Sequence, residues 1–131
     1  MPPRLFTLEE ATALLPTLRD LVSEVQARKR DLDRLAEALE SAIDVSAGNG
    51  HASGADMAST RAATEGAARR LEALMGRIDE LGCELKGIEE GLVDFRCERE
   101  GRVVYLCWRL GEETIAYWHD LDAGFGGRQP L

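Results

Sequence analysis

The sequence lacks several features that would place it in a familiar class. No stretch of its 131 residues approaches the roughly 18 consecutive apolar residues that a membrane-spanning helix requires. The opening "MPPRLFTLEEA" has no apolar core of the signal-peptide type before its acidic residues begin. Its three cysteines, at positions 83, 97 and 107, include no Cys-x-x-Cys pair, which argues against a disulfide framework. We therefore expect a cytoplasmic protein without a membrane segment.

Positive charge is also scarce. Lys and Arg number 16 against 24 Asp and Glu, so the formal net charge is −8. Because binding to a phosphate backbone requires a basic surface, we expect no nucleic-acid partner. The one short basic run, "ARKR" at 27–30, has Asp31 and Asp33 beside it and is typical of a solvated helix face. The length indicates a single domain over residues 1–131.

The N-terminal part has clear helix signals. In "FTLEE", Thr7 can cap a helix and Glu10 can reach back to it, which is a capping box. Pro16 interrupts the pattern, since an interior proline loses a backbone hydrogen bond and clashes with the preceding turn. The sequence therefore predicts a short helix over about 8–14 and a long helix from about Pro16.

Two heptad patterns follow, separated by a segment rich in Gly, Ala and Ser. They predict an antiparallel, coiled-coil-like helical hairpin over about 8–82, with a flexible loop at about 45–60. A fold-back near Gly50 would place Arg28 level with Glu72 and predicts an ion pair between them. Because a two-helix hairpin buries little surface alone, it must pack against the C-terminal part or against a second copy in a four-helix bundle, and we expect a dimer or another protein partner on the helices. The heptad positions are Leu18, Val25, Leu32 and Leu39 in the first helix and Leu71, Ile78 and Leu85 in the second.

The period changes after Gly82. Residues 83–87 could continue the helix or form a strand, and the glycines at 82 and 87 favour the strand. The segments "LVDFRCER", "RVVYLCWRL" and "IAYWHDL" read as further strands, followed by a glycine-rich tail. We therefore predict an α+β fold, in which the hairpin precedes a small antiparallel sheet of three or four strands within 83–131.

Strand register decides which side chains meet, because successive residues point to opposite faces. A two-residue turn at Glu100-Gly101 would pair Asp94 with Cys107. The next turn is ambiguous. A two-residue loop places Trp118 opposite Cys107, whereas a three-residue loop pairs His119 with Cys107 and aligns Asp94, Cys107 and His119 across three strands.

That row would supply a carboxylate, a thiolate and an imidazole, which are the groups that a divalent metal ion uses. Glu10 is a further candidate ligand or acid–base group. Alternatively, His119 is a buried histidine hydrogen-bonded to a backbone carbonyl or to Asp120. Cys107 could also be a nucleophile paired with His119, or simply a small buried apolar residue.

The tail "GFGGRQP" suggests an anion or ligand site. Its glycines expose backbone N–H groups, and Arg128 adds a fork that can bind an anion. Equally, Arg128 could pair with a carboxylate and lock the tail to the sheet. Trp108 and Trp118 could line a pocket for a planar ligand, or pack the sheet against the helices.

The segments "FTLEEATALLP", "GLVDF", "YLCW" and "WHDLDAGFGGRQP" together resemble an uncharacterised bacterial family, the domain of unknown function 2203 family. The resemblance covers nearly the whole chain and implies no activity. Among the signature positions, Glu10, Asp94, His119 and Arg128 are those whose polarity calls for an explanation beyond packing. The remaining positions that it implies are Phe6, Thr7, Pro16, Gly91, Phe95, Cys107, Trp108, Gly111, Glu112, Trp118, Gly124, Phe125, Gly127 and Pro130.

Two functions remain open from the sequence. One is an interaction or adaptor protein that works through the helical hairpin and self-associates. The other is a metal-dependent or small-ligand enzyme, with a divalent metal ion held around His119 where the sheet meets the tail.

Overall fold

The computed structural model describes residues 3–47 and 54–131, except for the side chains of 45–47. Three helices precede a C-terminal sheet, so the predicted α+β class is confirmed. None of the helices in the described ranges is both long enough and apolar enough to cross a membrane. The helices are α1 (Leu8–Ala13), α2 (Leu15–Ala47) and α3 (Gly54–Glu80); the strands are β1 (Glu84–Gly87), β2 (Leu92–Arg99), β3 (Arg102–Arg109), β4 (Tyr117–His119) and β5 (Gln129–Pro130).

The predicted helix start and helix break are both present. The amide of Glu10 donates to Thr7 Oγ1 at 3.1 Å, and the amide of Thr7 donates to Glu10 Oε1 at 2.9 Å. Helix α1 ends at Ala13 and α2 begins at Leu15, so Pro16 lies in the first turn of α2, where a helix tolerates a residue without an N–H.

Helices α2 and α3 form the predicted antiparallel hairpin. Glu24 and Arg77 border one surface depression, whereas Leu35 and Ala67 border the next one along the hairpin. The predicted ion pair between Arg28 and Glu72 is wrong. The Arg28 guanidinium instead lies within 4.0 Å of two carboxylates of its own helix, those of Glu24 and Asp31.

The loop predicted over 45–60 is too long. Helix α2 continues to Ala47 and α3 begins at Gly54, and residues 48–53, including the predicted fold-back at Gly50, lie outside the described part of the chain. The segment from 54 to 60 is helical because alanine favours helix, and Thr60 is accommodated there with its Oγ1 donating to the carbonyl of Asp56 at 2.9 Å.

The sheet is an antiparallel meander in the order β1-β2-β3-β4-β5. Residues 84–87 form a strand, as favoured from the sequence. Strands β2 and β3 join at Glu100-Gly101, where both residues have positive φ, the geometry of a tight hairpin turn whose twist matches the strands. The predicted pairing of Asp94 with Cys107 follows and is confirmed.

The sheet has five strands rather than three or four, because the tail folds back beside β4. Trp118 pairs with Gln129, and the Leu131 amide donates to the carbonyl of Ala116 at 2.9 Å. Both registers predicted for β4 are wrong, since His119 pairs with Tyr105 and Trp118 with Leu106. The connection over 110–116 is longer than the two or three residues assumed from "GEET".

The two faces of the sheet have different chemistry. The core face packs against the helices, and Phe6 meets Phe95 edge to face with ring centroids 5.3 Å apart. The opposite side, which we call the outer face, carries Asp94, Tyr105, Cys107 and His119, all of them buried. The core face carries Val93, Phe95, Val104, Leu106, Trp108 and Trp118.

Candidate metal centre

Three potential metal ligands meet on the outer face of the sheet. Asp94 on β2 pairs with Cys107 on β3. His119 on β4 pairs with Tyr105, two residues before Cys107 on β3, and so lies on the same face. Their side chains each contribute one ligand atom, and these atoms all lie within 4.8 Å of one another. Exposure is 4% for Asp94, 1% for Cys107 and 2% for His119, so the cluster is shielded from bulk water.

The orientation of His119 is fixed by two hydrogen bonds. Nδ1 lies 2.9 Å from the backbone carbonyl of Asp120, which can only accept, so Nδ1 carries a proton. Nε2 lies 3.1 Å from Asp94 Oδ2. This arrangement directs Nε2 into the cluster, and a histidine that binds a metal ion commonly donates its other N–H to a carbonyl in the same way.

The other two residues sit where their charged forms are disfavoured. Burial raises the pKa of Asp94, while the charge and hydrogen bond of His119 act in the opposite direction. Burial, reinforced by the Asp94 charge, raises the pKa of Cys107 to about 12. The thiol is therefore protonated at neutral pH. That argues against the nucleophile interpretation, whereas a metal ion would displace the proton.

A cleft of about 120 Å³ opens onto the cluster. The tail closes one side of it, because the stretch from Leu121 to Phe125 lies against the outer face. Lys86 and Tyr105 border the cleft beside the three ligands. The site is therefore a small chamber formed by the sheet and the tail.

Arg128 fastens the tail to the sheet. Its Nη2 donates to Glu112 Oε1 at 2.6 Å and to the backbone carbonyl of Cys107 at 3.2 Å. The guanidinium carbon lies 4.2 Å from the ring centroid of Tyr117 and 4.6 Å from that of Phe125. Of the two interpretations open from the sequence, this geometry matches the second, in which Arg128 pairs with a carboxylate and holds the tail against the sheet.

The remaining predicted site residues lie elsewhere. Glu10 caps α1 and lies 4.0 Å from Arg4, with its side chain about half exposed. Trp108 and Trp118 pack in the core rather than in the cleft, and the Trp108 indole N–H donates to the carbonyl of Glu112 at 2.9 Å. The structure therefore brings together three of the four predicted metal ligands.

Sequence reasoning missed Lys86 and Tyr105. Tyr105 shares the alternation of Cys107 in β3, so the strand pattern could have placed it on the outer face. Lys86 could not be found in this way, because β1 is irregular between Leu85 and Gly87 and its pairing with β2 shifts there.

The chain belongs to the DUF2203 family, described as an uncharacterized conserved protein, whose family model matches residues 4–131. The resemblance inferred from the sequence is thus confirmed. Comparisons with curated proteins and with solved structures found no match.

Proposed function

We propose that the protein binds a divalent transition-metal ion, with zinc the best fit, through Asp94, Cys107 and His119, and acts as a metal-dependent enzyme on a small molecule. The observation that carries the proposal is the convergence of three buried ligand atoms within 4.8 Å, with the His119 Nδ1 proton already engaged by a carbonyl.

The His119 and Asp94 ligand atoms already lie near the spacing that a metal ion requires, and pairs as wide as 4.8 Å would have to close by about 1 Å. Tetrahedral zinc, with bonds of about 2.0 to 2.3 Å to nitrogen, oxygen and sulfur, holds its ligand atoms about 3.4 to 3.6 Å apart. His119 Nε2 and Asp94 Oδ2, now 3.1 Å apart, would separate by a few tenths of an ångström. Thiolate and imidazole ligands favour zinc over magnesium or calcium, which prefer oxygen.

The number of ligands favours a catalytic centre over a structural one. Structural zinc sites usually have four protein ligands, whereas catalytic sites have three and keep a position for water or substrate. In the part of the chain that the structure describes, the cluster contains three such residues and borders a cleft. A water molecule bound to zinc has a pKa of about 7, so hydrolysis or polarisation of a carbonyl group is the expected chemistry.

Elemental analysis of the tag-free protein after incubation with zinc tests the proposal. We expect about one ion per chain in the wild type and in Cys97→Ser, and none in Cys107→Ser or His119→Ala. Cys97 is the matched control because it lies on the core face of the same sheet and is partly buried. Equal metal content in Cys107→Ser and Cys97→Ser, with both variants folded by circular dichroism, would contradict the proposal.

A second candidate function is the self-association expected from the sequence. Its support is the distal part of the hairpin, residues 26–44 and 54–66, in which no described side chain is buried. Leu32, Leu35 and Leu39 there remain partly exposed, and a second copy could cover them.

Sedimentation of Leu39→Glu against the wild type tests self-association. A monomeric variant beside a dimeric wild type supports the interface, and two monomers exclude it. A charge at Leu71 would be a poor probe, since Leu71 is 7% exposed in the core and its substitution would disturb folding.

A further inference from the structure

The cleft beside the metal centre limits the size and shape of a ligand. Its volume of about 120 Å³ is well below the roughly 300 Å³ at the lower end for pockets that hold drug-sized molecules. The cleft therefore fits a compound of only a few heavy atoms. Leu92, Leu121 and Phe125 give it apolar walls, with the last two partly exposed at 44% and 43%.

Lys86 places a positive charge at this cleft. Its ammonium lies 4.8 Å from the ring centroid of Tyr105 on β3, although Lys86 belongs to β1. The side chain thus reaches across β2, the strand that carries Asp94. Tyr105 in turn lies against His119, with ring centroids 5.4 Å apart.

Lys86 acts as a cation here and not as a base. Burial tends to lower its pKa, but the hydrogen bond and charge of Glu84 outweigh that effect and raise the pKa above its ordinary value. The Nζ atom lies 3.3 Å from Glu84 Oε1, and Arg96 Nε lies 3.4 Å from the other oxygen of that carboxylate.

The charges of the residues that line the loaded site, taken with their ion-pair partners, sum to a positive value. A divalent ion bound by the Asp94 carboxylate, the Cys107 thiolate and a neutral His119 forms a centre of net charge zero. Lys86 and Arg96 share the single carboxylate of Glu84, which leaves one positive charge beside the centre. An anionic ligand would therefore be favoured over a neutral one of the same shape.

We propose that the site binds a small carboxylate with a short apolar group: the carboxylate lies between the metal ion and Lys86, and the carbon chain lies against Leu121 and Phe125. This inference rests on the proposed metal centre. Lys86 would be a specificity-determining residue, because it would distinguish the carboxylate from a neutral analogue of the same size.

The test uses the full-length protein loaded with Co²⁺, whose visible spectrum reports both metal binding and changes in coordination. Butyrate, butyramide and inorganic phosphate are titrated into the wild type, Lys86→Gln and Lys29→Gln. Lys29 is the matched control, since it also pairs with a carboxylate, that of Asp33, and its side chain is 40% exposed against 42% for Lys86.

We expect butyrate to change the cobalt spectrum of the wild type and of Lys29→Gln with equal affinity. In Lys86→Gln the affinity for butyrate should fall about tenfold, as for the loss of a hydrogen bond to a charged group. Butyramide should bind weakly and equally to all three proteins.

Each other outcome overturns a defined part of the inference. Cobalt binding without any response to butyrate, or with equal butyrate affinity in Lys86→Gln, refutes the carboxylate site and leaves the metal centre intact. A response to phosphate alone refutes the assignment of a carboxylate. Absence of a cobalt spectrum in the wild type refutes the metal centre and this inference together.

Discussion

Replacing Arg128 with methionine should release the tail from the sheet. The substitution keeps a long side chain between the two aromatic rings but removes the donor to Glu112 and to the carbonyl of Cys107. The Arg128 side chain is 12% exposed and that of Glu112 is 25% exposed, so the ion pair is only partly screened by water.

The expected loss is about 2 kcal/mol of folding free energy. The two hydrogen bonds of Arg128 together contribute about 3 kcal/mol, since each partly exposed bond of a charged group contributes about 1.5 kcal/mol, and the cation–π contact adds about 0.5 to 1 kcal/mol. Against this, Arg128 Nε is buried and has no hydrogen-bond partner among the described residues, so its removal relieves a desolvation cost of about 1 to 3 kcal/mol. For a chain of 131 residues, the net loss corresponds to a fall in Tm of roughly 8 °C.

Urea denaturation and amide hydrogen exchange measure the two consequences separately. If the tail opens locally, exchange at the Leu131 amide, which bonds to the carbonyl of Ala116, should accelerate more than exchange in the core of β3. Arg128→Lys, which keeps a charge near Glu112 but loses the fork, should give an intermediate loss. A change under 0.5 kcal/mol in Arg128→Met, with unchanged exchange at Leu131, would refute the role of Arg128 as the lock.

Three further predictions concern the site and the turn between β1 and β2. Because the pKa of the Cys107 thiol is about 12, zinc must displace its proton, so zinc affinity should rise about tenfold per unit between about pH 6 and pH 8; a flat profile would show that the thiol is not a ligand. The folded-state pKa of Asp94 is raised, so in metal-free protein the protonated carboxyl stabilises the fold at low pH and this stability is lost as the carboxyl ionises. Asp94→Asn cannot ionise, so its Tm should fall less from acid to neutral pH than the Tm of the wild type. Gly91 has a φ of 69°, and an added Cβ would lie 2.7 Å from the Cβ of Leu110, so Gly91→Ala should destabilise by about 2 to 4 kcal/mol in urea titrations. Gly76→Ala in α3 is the control, because an added Cβ there would have no atom within 4 Å, and it should stabilise the fold by about 0.5 to 1 kcal/mol. Equal effects of the two substitutions would contradict the prediction.

The sequence predicted those parts of the fold that local chemistry determines. The capping box at Thr7, the helix break before Pro16 and the tight turn at Glu100-Gly101 each depend on a few adjacent residues. The turn also determines that Asp94 pairs with Cys107, because a two-residue hairpin turn allows only one register between β2 and β3.

The position of His119 depended on contacts that no local pattern reveals. The connection from Leu110 to Ala116 is held by the indole of Trp108, which donates to the carbonyl of Glu112, and by the amide of Arg109, which donates to Glu112 Oε1. Gly111, with a φ of 106°, allows the chain to turn there. Sequence reasoning brought His119 to the correct face in one of two registers, but not to its partner Tyr105.

Glu10 shows the opposite kind of error. Its polarity suggested a ligand, yet a backbone hydrogen bond with Thr7 engages it at the start of α1 and lowers its pKa. The same residue had been identified as part of a capping box, and that role accounts for its polarity without a metal ion.

Along β3, residues that pack the core alternate with residues of the candidate metal centre, so a change of register would affect both at once. Leu106 and Trp108 fill the core while Cys107, between them, belongs to the candidate metal centre. A single-residue deletion in this strand would exchange the two sets, with the thiol turned into the core and an indole into the cleft. The connection from 110 to 116 lies between β3 and β4, so the face on which His119 lies depends on its neighbour Trp118, which packs in the core. Libraries that vary the length of this connection should therefore retain metal binding as long as Trp118 keeps its place in the core.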